Sequence, residues 1–314
     1  MPLLVGAGLT PSPHPDNPTV PVWVEDAGSI YATWTDPLGQ QWQLSNTDDH
    51  LGYFTTDAIA GWGAVPVEII TDPLSRGGED VRHIRAEPRR LTWPLHIFGD
   101  DHLQFLTRYR NLLRAFTATT HRRTPGVLRV ARPDGTAREI EAFYEDGFGG
   151  EAGENWLFAN PVLTLFCPDG YWRAAEPTII PRTNAPGRPY LRRYPQVSSA
   201  QVLGAFTATN PGEVDAWPTW TITGPATKVI AVNTDAGGAF TLTHDLPPGE
   251  TITITTNRPT VRGPGGRNLT DALDWPGAML WPLVPGTNQV DVQIHGAGPG
   301  SGFTLTFHAR FEGA

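Results

Sequence analysis

Six carboxylates crowd one stretch of this chain: Glu139, Glu141, Glu145 and Asp146, then Glu151 and Glu154 within "YEDGFGGEAGEN". Two carboxyls at a working separation can hydrolyse a glycosidic bond, one giving a proton while the other attacks or activates water. The glycines around them make a solvated acidic hairpin loop the plainer reading; a glycan hydrolase using Glu151 or Glu154 competes with it. The stretch lacks the D-x-D-x-D-G ladder that wraps Ca²⁺. Nine histidines stand at 14, 50, 83, 96, 102, 121, 244, 295 and 308, and none lies in an H-E-x-x-H. His96 and His102 straddle a predicted strand-to-helix turn and read as polar residues at the surface in preference to metal ligands. The single cysteine, Cys167, lies in the apolar "LTLFCPD". One cysteine excludes an intramolecular disulfide and a Cys-based zinc site, and its setting is that of a buried, inert thiol. There is no G-x-S-x-G elbow. "RGPGGRN", Arg262 to Asn268, is Gly-rich but lacks the Lys-Ser/Thr of a phosphate loop and reads as a connection between strands. No catalytic residue, cofactor or metal ligand is expected.

The tryptophans are the other chemistry-bearing group. In "TNPGEVDAWPTWTITGP", Trp220 shares a period-two face with Ile222 and alternates with threonines, which makes it core. Burying such a side chain contributes about 2–3 kcal/mol, reason enough for its presence without a ligand. Trp217 precedes Pro218 and falls out of that register. Trp217, Trp275 and Trp281 are the candidates for stacking on sugar if the chain is a carbohydrate-binding adhesion module.

Composition bounds what can position these groups. The 314 residues suggest about two domains, and 39% apolar with 10% aromatic residues supplies real cores. With 34 Gly and 31 Pro, turns are frequent and short strands are favoured over helices. Net charge is −9 and Lys228 is the single lysine, which disfavours general nucleic-acid binding. The N-terminal "MPLLVGAGLTPSPHPDNP" lacks a positive n-region and a long apolar core, so no signal peptide is expected. No apolar run approaches the roughly 20 residues of a membrane span, so insertion into a membrane is not expected.

Element patterns divide the chain into a Pro-rich, extended arm at 1–20, a β-rich domain at 21–167, a linker at 168–200 and an all-strand domain at 201–314. The first domain opens with a hairpin around "TDPLGQ", whose Pro37 and Gly39 suit a type I turn. "VEIIT", "VRHIRAE" and "RRLTWPLHIFG" are further strands, the last with Leu91, Trp93, Leu95 and Ile97 on one face. The period then changes. "GDDHLQFLTRYRNLLRAFTA" predicts one helix over about 100–118, with Leu103, Phe105, Leu106, Tyr109, Leu112, Leu113 and Phe116 on a broad stripe and Asp100 and Asp101 at its start. "PDGYWRAAEPTIIPRTNAPGRPYLRRYPQ" is dense in Pro, Gly and Arg, without sustained period beyond short edge strands. From 201 onward, segments such as "TWTIT", "AFTLTH" and "SGFTLTFHARF" alternate apolar with polar between Gly/Pro/Asn turns, the pattern of a β-sandwich or jelly roll.

The order of these segments resembles that of the distal tail proteins of siphovirus-type phages, the siphovirus-type tail component family. Arg89 to Gly99 matches the Arg-rich strand before the family's helix, and Gly126 to Arg138 the hairpin after it. "PDGYW" at Pro168 to Trp172 matches the end of the family's first domain. Asn210, Pro211, Gly212, Pro218, Trp220, Ile222 and Gly224 match the opening of its second, and Leu283, Pro285, Gly286, Asn288 and Val290 a later turn. The resemblance implies a mainly β protein: a split β-barrel-like domain with one helix, then a galectin-like β-sandwich. It further implies a non-enzymatic virion protein forming a hexameric ring at the tail tip, assembled in the host cytoplasm. Its implied partners are the tail tube protein and the tail-tip or tail-fibre hub proteins, with DNA passing through the channel ungripped.

Overall fold

The computed structural model describes residues 12–14, 17–22, 30–45, 51–56, 58–149, 157–184 and 202–314. They fall into two compact units, Met1–Ala175 with Glu312–Ala314, and Glu176–Phe311.

In the first unit, β1 (Ser12–His14) and β2 (Asn17–Val22) pair with each other, in and two residues beyond the 1–20 segment expected as an extended arm. Next come β3 (Tyr31–Thr35), β4 (Gln41–Gln43), β5 (Tyr53–Thr55), β6 (Val67–Pro73), β7 (Glu79–Ala86) and β8 (Arg89–Phe98). The helix α1 (His102–Arg122) is followed by β9 (Gly126–Ala131), β10 (Ala137–Asp146), β11 (Phe158–Ala159), β12 (Val162–Cys167) and β13 (Trp172–Ala174). The main sheet runs β11-β8-β12-β10-β9-β3-β4, with β5 on β8 and β13 on β10, and curls into a half-barrel. The alternation in β8 is realised fully: Leu91, Trp93, Leu95 and Ile97 are all 0% exposed.

The helix starts two residues later than expected and runs four residues further. Asp101 sets the start, since its side chain accepts from Gln104 N at 2.8 Å and satisfies an otherwise orphaned amide. Arg123, in the left-handed region at φ 52°, sets the end. Phe105, Leu112, Ala115, Phe116 and Thr119 form the buried stripe, while Leu103, expected on it, is 74% exposed. Helix and sheet are tied by Trp34, whose ring stacks on Phe116 at 4.7 Å and whose Nε1 donates to Ala115 O at 3.3 Å. Thr119 Oγ1, facing β10, accepts from Tyr144 N at 3.0 Å.

The second unit contains β14 (Thr178–Thr183), β15 (Val202–Asn210), β16 (Thr219–Thr223), β17 (Ala226–Asn233), β18 (Gly238–Leu246) and β19 (Thr251–Thr255). It continues through β20 (Thr260–Arg262), β21 (Gly286–His295), β22 (Gly302–Phe307) and β23 (Arg310–Phe311). Two antiparallel sheets, β14-β22-β16-β19-β20 and β15-β21-β17-β18, enclose one core. Strand β14 lies inside the segment expected as a linker. It is one of the short edge strands expected there: Pro181 argues against a central strand but is compatible with an edge one. Here it sits on a strand at the edge of its sheet, where a missing amide costs no ladder bond. The division between units falls at Ala175/Glu176, within the 168–200 segment expected as a linker.

Candidate functional site

The carboxylates that suggested hydrolysis are engaged with arginines along the strands. Glu141 holds Arg173 at 2.8 Å, Glu139 lies 3.6 Å from Arg173 and 3.9 Å from Arg129, and Glu145 binds Arg90 at 2.8 Å. The Arg90 hydrogen bond holds the Glu145 carboxyl below its usual range, the reverse of what a general acid needs. Asp146 accepts from Gly147 N at 2.8 Å. Glu151 and Glu154 lie outside the described residues. His96 hydrogen-bonds Asn160 at 2.6 Å and packs among Phe54, Phe98 and Phe158. Among the described residues no three potential metal ligands gather, and no helix is long and apolar enough to cross a membrane. Cys167 is fully buried, and burial pushes its thiol up to about 12.

Trp220 is core, at 0% exposure, with Trp281 edge-on at 5.3 Å and Phe240 edge-on at 5.7 Å. Trp281 is 1% exposed and Trp217 half-buried, whereas Trp275 stands 49% exposed.

The residues that carried the family resemblance have structural explanations. Arg89 is 1% exposed, yet its guanidinium donates to four backbone carbonyls: Gly170 and Gly61 at 2.7 Å, Gly63 at 2.7 Å and Glu312 at 2.6 Å. It thereby fastens three separate segments of the first unit. Asn210 donates to Val214 O at 3.0 Å and Leu283 O at 2.9 Å while accepting from Gly212 N at 2.9 Å. Gly212 has no room for a side chain, since a Cβ would meet Arg310 O at 2.5 Å. Asn288 is 0% exposed and closes the "PGTN" turn through Val284 N at 2.9 Å and Val284 O at 2.8 Å. Arg89, Asn210 and Asn288 are buried polar anchors whose burial is compensated by hydrogen bonds, whereas the buried Nε1 of Trp172 and of Trp220 finds no partner among the described residues.

The feature with unsatisfied surface is the hairpin β6–β7, which forms a two-stranded sheet of its own. Its register sets Val67 opposite Ala86, Ile69 opposite Ile84 and, past a bulge, Thr71 opposite Val81. Directly opposed residues share a face, so these side chains line one side. Val67, Ile69, Val81 and Ile84 are each 50–56% exposed there. Glu68 and Asp72 alternate onto the other side, where Arg85 pairs with Glu68 and Arg82 with Asp72 at 2.7 Å. One face carries two exposed ion pairs on either side of Ile70, and the other presents four β-branched apolar side chains to water beside the Thr71–Glu79 hydrogen bond. The sequence marks both strands. Their alternation is that of any half-buried strand, and nothing local says that the core is missing.

Residues 211–311 match the family model described as siphovirus-type tail component, C-terminal domain. Among solved structures, the chain is similar to SPP1 Dit (gp 19.1), described as a paradigm of the hub adsorption apparatus in Gram-positive-infecting phages. The TM-score is 0.63 at 13% identity, over 90% of this chain and 99% of that one. It is also similar to chains of the phage P2 baseplate in its activated conformation. With Sr the TM-score is 0.52 at 13% identity, covering 89% and 98%; with Ca it is 0.50 at 10% identity, covering 88% and 98%. No curated protein matches by sequence. Residues 211–311 thus match the C-terminal domain of the siphovirus-type tail component family, and the chain shares its fold with SPP1 Dit.

Proposed function

We propose that this tail component is a non-enzymatic hub: a hexameric ring formed through the first unit, joining the tail tube protein to the tail-tip or tail-fibre proteins. The open apolar face of β6–β7 carries the reading. A lone two-stranded hairpin is marginal in water, and contiguous exposed β-branched side chains mark surfaces that are covered in an assembly. A hairpin that projects its apolar face onto a different patch of a second copy makes a head-to-tail contact, and such a contact closes into a ring when its rotation permits. The number six comes from the family resemblance. The hub role of SPP1 Dit supports the position in the tail. A net charge of −9 fits a channel that lets DNA pass without gripping it. Assembly in the host cytoplasm and a place at the virion tail tip follow from the same reading.

The test combines light scattering after size exclusion with negative-stain images of the purified chain and of intact tails. Six-fold rings are expected, lost in Ile69→Asp/Ile84→Asp while the thermal unfolding of the double variant stays within a few degrees of the parent. A monomer or two-fold dimer at high concentration, with no ring in intact tails, would sink the proposal.

A further inference from the structure

We propose that the loop carrying Trp275 is a stacking site for a pyranose ring of a polysaccharide. The site is separate from the hairpin and does not depend on ring formation. Of the three tryptophans suited to sugar stacking by sequence, Trp281 is buried at 1% exposure and Trp217 half-buried. Trp275, at 49%, is the exposed tryptophan among the described residues.

The loop beneath it is firmly built. Leu269, Leu273, Ala278 and Trp281 are buried in the core of the second unit. Asp274 N donates to Thr241 O at 3.0 Å and Met279 N to Ala239 O at 2.8 Å, pinning the loop to β18 on both sides of the indole. Ala278 N closes the turn onto Asp274 O at 2.7 Å. The indole is itself tethered, since Nε1 donates to Thr270 O at 3.0 Å. Its one polar atom is therefore already used, and what it presents to solvent is π surface held in place. A preorganised ring loses little freedom when a ligand stacks on it.

The chemistry around the ring selects the ligand. Asp274 directly precedes Trp275, and Asp271 directly follows Thr270, whose carbonyl holds the indole; both are exposed, and their carboxylates hydrogen-bond to no described side chain. They accept hydrogen bonds and donate none. A phosphate or other anion would meet repulsion here. A purely apolar ligand would strip water from two carboxylates and return no hydrogen bond, which is costly. A pyranose answers both demands, with a C–H face for the indole and hydroxyl donors for the carboxylates. An organic cation over the indole is the competing chemistry.

The full-length chain is tested on an array of neutral and acidic pyranose oligosaccharides, and any hit is titrated by calorimetry. Binding to a neutral oligosaccharide is expected. Trp275→Ala should weaken it at least tenfold, and Asp271→Asn/Asp274→Asn severalfold. Trp275→Phe keeps a stacking face and should retain part of the affinity. All variants should unfold with the parent's cooperativity, because the altered side chains are exposed. An array with no neutral oligosaccharide above background would overturn the proposal. So would affinity unchanged in Trp275→Ala, or binding confined to tetramethylammonium and lysine-rich probes. Loss of rings in the assembly experiment leaves these readouts untouched, so the two proposals fail separately.

Discussion

Several buried polar groups of this protein have their burial compensated in one of two ways. Asn210, Asn288 and Arg89 meet enough carbonyl and amide partners to stay inside. Cys167 and Tyr53 do so by keeping their protons, since burial pushes both up to about 12 from their ordinary values of 9.0 and 10.0. The sign follows from linkage. Between the unfolded and folded values the folded state binds more protons, so stability is complete below about pH 9 and drains away as pH rises toward about 12. The urea midpoint should be level from about pH 6 to 8.5 and fall steadily above about pH 9. In the native state Cys167 should resist a thiol reagent at about pH 8 and react once the chain is unfolded. A level midpoint up to about pH 11, or rapid native labelling, would contradict this account. The inertness of Cys167 was legible in "LTLFCPD". The role of Arg89 was not, because its four acceptors come from Gly61, Gly63, Gly170 and Glu312, segments far apart along the chain.

Among the elements, α1 shows how local signals are refined by contacts. Asp101 caps it through Gln104 N at 2.8 Å. Asp101→Ala should cost about 0.5–2 kcal/mol by removing that acceptor, read as a lower urea midpoint with an unchanged slope. Asp100→Ala, whose side chain does not cap, is the control and should be near neutral. Leu103 satisfied the helical period but lies in the first turn beyond the reach of the sheet, so the buried stripe begins at Phe105. The strands tell the same story from the other side. Alternation identified β8 and β22 correctly, and it equally identified β6 and β7, whose apolar side chains are left in water. Period two reports that a strand has two unlike faces. It does not report whether anything lies against either one.

At the scale of the molecule, the second unit is a complete sandwich only with β14. That strand gives β22 one of its two partners, from Thr178 opposite Phe307 to Thr183 opposite Gly302. A fragment of residues 176–311 should therefore fold alone with a β-type circular dichroism spectrum and one cooperative transition. A fragment of residues 201–314 should melt lower, since β22 becomes an uncovered edge carrying alternating Phe303, Leu305 and Phe307. Equal melting temperatures would show that β14 contributes nothing. Failure of the longer fragment to fold would show that the unit depends on the rest of the chain.

What the sequence by itself determined is whatever depends on short-range pattern. That covers the mainly β class, the one helix, the core role of Trp220, and the Asn-Pro-Gly and Pro-Gly-x-Asn turns whose order carried the family resemblance. Hydrophobic period, capping and turn chemistry act over a few residues, so they are written locally. Only the tertiary structure decided which tryptophan faces water, that β14 belongs to the second unit, that Glu139, Glu141 and Glu145 are paired with Arg173 and Arg90, and that the apolar face of β6–β7 is bare. Each of these depends on which distant segment arrives, or fails to arrive, against a given side chain. Burial, ion pairing and exposure are properties of that encounter and have no signature within a window of ten residues.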